Sequence, residues 1–162
     1  MRDPIDMVAH KVSVAIKKAN PQETKSVEVM SYALSLLINT GLTIFLILYI
    51  GAATAAFQET LMVLVIFGAL RMLTKGGHFK SLTLCVIVTT ALIAPIPHLY
   101  YPAYLILPTT LISSAVILIR SKTNLFRRIL AVGLVIFLST LADQALTLVC
   151  LVYTFSLFPE RR

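Results

Sequence analysis

From Ser81 to Ile119 the chain contains no Asp, Glu, Lys or Arg. That stretch is too long for one buried core helix and fits two crossings of a hydrocarbon layer, at about 20 residues each. The remaining composition points the same way: 58% of the residues are hydrophobic and only 13% charged, with a mean hydropathy of +0.90. A water-soluble globule is excluded on those values. The expected fold is all-α: a polytopic membrane protein of about six transmembrane or membrane-embedded helices plus an N-terminal amphipathic helix. One domain over residues 1–162 accommodates it, with 1–20 as an interfacial helix and 31–158 as the membrane helices. Residues 1–28 are polar and of mixed charge, without the apolar core and small-residue site of a secretory signal, so removal of the N-terminus is not expected.

Asp3-Pro4-Ile5-Asp6 reads as a helix start, with Asp3 as N-cap and Pro4 at the first helical position. Ile5, Val8, Ala9, Val12, Ala15 and Ile16 then recur at helical spacing, with His10, Lys11, Lys17 and Lys18 mostly on the other side. Such a helix can pack on the protein's own surface, lie on a membrane, or dock a partner helix. Asn20-Pro21 breaks it, and Asn20 is the expected cap of the next helix. The first span is placed at Ser31 to Ile50, the second at Thr60 to Leu73, the third from Ser81 to Pro95 or Pro97 and the fourth at Ala103 to Ile119. Pro95, Pro97 and Pro102 with Tyr100, Tyr101 and Tyr104 mark a turn at a membrane surface. Ile129 to Phe158 is too long for one comfortable crossing, and Asp143-Gln144 at its middle suggests a hairpin of two short spans.

This span assignment puts all fourteen Lys and Arg residues on one side. They precede the first span, follow the second and fourth, and end the chain, whereas the turns around Glu59, His98 and Asp143 have none. The positive-inside tendency then places both termini and the loop after the second span in the cytoplasm. The net charge of +7 is accounted for by topology and by attraction to an anionic bilayer, without nucleic acid.

That loop holds the residues best suited to chemistry. Gly76-Gly77-His78 is followed by Ser81 and Cys85, and Arg71, Lys75 and Lys80 surround them. A thiol is a useful nucleophile only when a base or imidazolium raises its thiolate fraction, and His78 could do this for Cys85. On one unbroken helix the pair would share a face to within about 20° yet stand about 10.5 Å apart. A direct contact therefore needs a break, which the glycines permit, with Ser81 capping a new helix that carries Cys85 in its early turns. Taken alone, His78 is more often an interfacial loop residue and Cys85 a core residue; Arg71 and Lys75 read as topology anchors or as guides for an acidic peptide. Cys150, among Leu, Val and Tyr, reads as packing. No metal is expected, since His78 and Cys85 lack further ligands nearby, and no cofactor is called for. Glu59, His98 and Asp143 are expected in solvated turns.

The Gly-Gly-His segment followed seven residues later by Cys85, after a basic amphipathic N-terminus and within a protein of about six spans, resembles the accessory gene regulator protein B (AgrB) family. That resemblance implies a membrane-embedded cysteine endopeptidase that processes a quorum-sensing propeptide of the AgrD type. By position it implies His78 and Cys85 as the catalytic pair, with Arg71 and Gly76 or Gly77 as supporting motif residues. Familiar members carry a longer Lys- and Pro-rich loop after the fourth span, where this chain has the short Arg120 to Arg128. In the family a thiol or hydroxyl of the peptide attacks the thioester and closes a thiolactone or lactone ring. A small transporter subunit would instead need ionisable residues at mid-membrane, for which only Asp143 qualifies, and a non-catalytic scaffold is the third class. Gly41, Gly51, Ala52 and Ala53 allow close helix contacts, including those of a homodimer.

Overall fold

The computed structural model describes residues 3–75, 81–121, 123–141 and 143–157. Helix α1, Pro4–Ala19, begins where Asp3 accepts a hydrogen bond from the Ile5 N–H and Pro4 supplies a ready-made helical φ. It ends in a turn that Lys17 wraps, its Nζ donating to the carbonyls of Pro21 at 2.7 Å and Thr24 at 2.8 Å. Asn20 does not cap the second helix as the sequence suggested. Its carbonyl accepts from Thr24 Oγ1 at 2.6 Å and its side chain holds Glu23, so the chain stays in a turn until Ser26 caps α2, Val27–Ala53.

Helix α3, Phe57–Thr74, returns after a tight connection in which Ala55 takes the left-handed φ of 57°. The two helices touch closely at Gly51: a Cβ there would stand 2.6 Å from Thr60 Oγ1. Helix α4, Leu82–Ile93, is followed by a single 3-10 turn at Ile96–His98. A second such turn, Ala103–Leu105, leads into α5, Ile106–Arg120. The apolar run after it is two helices, α6 at Leu125–Thr140 and α7 at Gln144–Phe155. Asp143 makes the break, its Oδ1 accepting from the N–H groups of Ala145 at 2.8 Å and Leu146 at 3.1 Å.

The described residues form helices and no strands. Three stretches, Val27–Ala53, Phe57–Thr74 and Ala103–Arg120, are long and apolar enough to cross a membrane. At 12 residues each, α4 and α7 rise only about 18 Å. The surface is that of a protein solvated by lipid: Met72, Leu107 and Ile119 are all at least 70% exposed. Small polar residues go inward instead, among them Thr60, Thr74, Thr109 and Ser113, where they let helices approach. One apolar core joins α3, α5, α6 and α7 around Phe67, Leu70, Ile117, Val135, Val149 and Tyr153. A smaller one gathers Ile5 of α1 with Leu82 and Val86 of α4, and Leu36, Ile38 and Leu46 of α2 pack against it.

Side-chain hydrogen bonds identify which connections share an end of the bundle. His98 Nε2 lies 3.0 Å from Thr54 Oγ1, and the Tyr101 N–H donates to Gln144 Oε1 at 3.1 Å. At the other end Ser121 Oγ donates to the Thr74 carbonyl at 3.4 Å, and Thr74 Oγ1 is hydrogen-bonded to the Tyr153 hydroxyl. The segments bearing Lys75 and Arg120 therefore lie together, as the charge pattern required.

Candidate active site

Cys85 is the fourth residue of α4, where the sequence placed it, and is 3% exposed. Its helix begins at Ser81, whose Oγ accepts from the Leu84 N–H at 3.2 Å. The Ser81 carbonyl accepts from the Cys85 N–H at 3.1 Å. The Cys85 thiol lies 4.0 Å from Thr89 Oγ1, one turn further on, within the range of a weak sulfur hydrogen bond. Neither Cys85 nor Cys150 is in a disulfide.

A contact that sequence reasoning did not find enters from α1. Asp3 caps α1 through Ile5 and also reaches across to the first turn of α4. Its Oδ2 accepts from Ser81 Oγ at 2.5 Å and from the Thr83 N–H at 3.1 Å, while Oδ1 accepts from Thr83 Oγ1 at 2.8 Å and the Ile5 N–H at 2.9 Å. Partial burial pushes this carboxyl up, but the hydrogen bonds from Ser81, Thr83 and Ile5 outweigh it and hold the pKa at about 2 against 3.8. The Asp-Pro pair signalled only the local cap. Nothing in the spacing pointed to a partner nearly eighty residues away.

An unpaired helix N-terminus is a ready source of N–H donors for an oxyanion. Here the amides of Thr83, Leu84 and Cys85 are already committed to Asp3, Ser81 Oγ and the Ser81 carbonyl. These three are therefore poor candidates for that task.

On the other flank, α3 is terminated by Lys75, which takes the left-handed conformation at φ 51°, ψ 56° and donates its N–H to the Arg71 carbonyl. The turn thus starts one residue before the glycines. Thr74 is fully buried, its hydroxyl donating to the Leu70 carbonyl at 2.9 Å. Tyr153 of α7 joins it there and sets its ring edge-on to Phe67 at 5.5 Å. The Arg71 guanidinium sits 6.0 Å from the same Phe67 ring. Ser121 and Thr123, 2.8 Å apart, connect this anchor to the start of α6, where Arg128 Nε donates to the Thr123 carbonyl at 2.9 Å. Gly76, Gly77, His78 and Lys80 lie outside the described residues. Both sides of their segment are firmly held, by α7 and the α5–α6 connection before it and by Asp3 after it.

The accessory gene regulator B family model matches residues 9–126. The chain belongs to that family. The match takes in most of α1, all of α2 to α5 and the segment from Arg71 to Cys85, so the resemblance read from the Gly-Gly-His and Cys spacing is borne out over far more than a motif. This accessory gene regulator B protein is accordingly a membrane protein of quorum-sensing propeptide processing, and its family implies an AgrD-like propeptide as partner. Neither curated proteins nor solved structures gave a match. Among the described residues no group of three or more His, Cys, Asp or Glu is arranged to hold a metal ion.

Proposed function

We propose that the protein is a cysteine endopeptidase that cleaves its propeptide through a thioester on Cys85 and releases the product by ring closure. The observation that carries this reading is the position of Cys85, in the first turn of a helix directly after a segment held on both sides, inside the family match. His78 takes the thiol proton as the sulfur attacks the scissile carbonyl. It then delivers that proton to the departing amine, and the acyl group remains on Cys85 as a thioester. A thiol or hydroxyl of the peptide's N-terminal portion next attacks the thioester carbonyl, and the Cys85 sulfur leaves and regains a proton. Exclusion of water by lipid and neighbouring helices suppresses hydrolysis of the thioester. Arg71 and Lys75, beside the entrance to the segment, are suited to guide an acidic part of the propeptide. Gly76 and Gly77 supply the backbone freedom for a turn at His78, and Ser81 fixes the start of α4.

The test is covalent capture. Cys85→Ser should lower mature peptide at least a hundredfold, because an alkoxide is far harder to form than a thiolate, whereas Cys150→Ser should leave it within about twofold. A propeptide whose ring-closing Cys is replaced by Ala should accumulate on the wild-type protein as a hydroxylamine-sensitive mass adduct, and His78→Ala should prevent that adduct. Normal peptide production by Cys85→Ser would overturn the assignment.

A further inference from the structure

Resting on the peptidase reading of Cys85, we propose that Asp3 is a positioning residue of the site: a single carboxylate caps α1 and clasps the first turn of α4, so that the N-terminal helix holds the nucleophile in place. A carboxylate offers about four lone-pair positions, and Asp3 has all four occupied, one by α1 and three by α4. An N-cap needs only the first of these.

The geometry also makes the clasp directional. Ser81 Oγ already accepts the Leu84 N–H, so its own hydrogen points away from the helix, and Asp3 Oδ2 lies 2.5 Å from it. The carbonyl of the same Ser81 accepts the Cys85 N–H at 3.1 Å. Asp3 is thus one residue removed from the backbone of the nucleophile. A second observation comes from packing: Ile5, two residues after Asp3, is buried against Leu82 and Val86, which flank the first turn of α4 on either side of Cys85. Polar and apolar contacts of α1 converge on the same turn.

An amide in place of the carboxylate separates the two roles. Asn caps helices as well as Asp does, but it has one acceptor oxygen, and its NH2 would face the Thr83 N–H or the hydroxyl hydrogens. The experiment uses full-length protein in detergent micelles, with iodoacetamide as the probe and Cys150, 2% exposed in α7, as internal reference. Asp3→Asn and Thr83→Val should each raise the alkylation rate of Cys85 about tenfold with Cys150 unchanged, and the double variant should go no further. With propeptide, Asp3→Asn should lower the maximal rate of adduct formation about tenfold without changing the half-saturating concentration. If Asp3→Asn matches the wild type while Asp3→Ala does not, Asp3 only caps α1 and the proposal fails. Equal rises at Cys85 and Cys150 would mean general loosening, and faster adduct formation would mean that Asp3 obstructs α4; either overturns it. The two readings fail separately: active Cys85→Ser removes the peptidase reading while alkylation still tests the clasp, and inactive Cys85→Ser with an unaltered Asp3→Asn removes the clasp alone.

Discussion

At the scale of single residues, Asp3 carries a definite acid signature. Its carboxyl is held at about pKa 2 in the folded protein against 3.8 without its partners, so the native state prefers the ionised form. A depressed carboxyl contributes stability that is complete above the unfolded value and is lost as pH falls through about 3.8 towards 2. For a carboxylate still partly open to water, screening reduces that contribution to about 1 kcal/mol. Thermal unfolding in micelles should therefore show the wild type more stable than Asp3→Asn at pH 6, with the gap narrowing steadily as pH falls from about 4 towards 2. A gap independent of pH would mean that charge is not what Asp3 contributes. Asp3 stays ionised throughout the neutral range, so any pH dependence of processing between about 5.5 and 8 belongs to other groups. Residue-level chemistry was legible wherever a side chain serves its own neighbours: the caps at Asp3 and Ser81 follow from local hydrogen-bonding rules, and Asp143 stands at the turn expected of it, where it also caps α7. The second reach of Asp3 and the meeting of Thr74 with Tyr153 depend on how distant helices pack, and no local pattern encodes that.

Elements reveal a different kind of dependence. Helices α2 and α3 meet closely at Gly51, where a Cβ would stand 2.6 Å from Thr60 Oγ1 and 2.7 Å from its Cβ. Thr60 is fully buried there and β-branched, so it cannot swing away cheaply. Gly51→Ala should cost about 1 to 3 kcal/mol by overpacking, whereas Gly41→Ala, with open space around the new Cβ, should be neutral or slightly stabilising. The comparison is readable as a difference in thermal midpoint between the two variants. Gly51, grouped by sequence with Gly41 as a surface for close contact, is used within the chain. The division of the 129–158 run into α6 and α7 was legible because bilayer thickness limits helix length. The start of α2 at Val27 was not, because Asn20-Pro21 satisfies the rules for a helix start and for a turn equally well. Lys17 tips the balance by binding the turn carbonyls. Helix α1 divides its apolar stripe: Ile5 and Ala9 are buried with Ser13, while Val8, Val12 and Ile16 stay about 40 to 50% exposed. That outer stripe is what a membrane surface or an amphipathic peptide would meet.

For the whole molecule, the segments bearing Lys75, Arg120 and Arg128 converge at one end through Thr74, Ser121 and Thr123. The opposite end is stitched by His98 with Thr54 and by Tyr101 with Gln144, where no Lys or Arg occurs. The positive-inside tendency turns this polarity into an expected orientation. Single cysteines placed at Lys75 and Lys122, in a background lacking the native two, should be protected from an impermeant maleimide in intact cells, and one at Gln58 should react. Labelling at Lys75 from outside would reverse the orientation and put the proposed chemistry on the other side of the membrane.

Tyr153 gives this architecture an order in time. Translation delivers α3 before α7, yet the hydroxyl and ring that brace Thr74 and Phe67 at the end of α3 belong to α7. A ribosome-bound chain that has inserted only α1 to α4 already possesses Cys85, but the support on the α3 side of the site is still missing. In the peptidase reading proposed above, the site is thus braced on its α3 side only once α7 has joined α3, so Cys85 lacks that support while the chain is still being made.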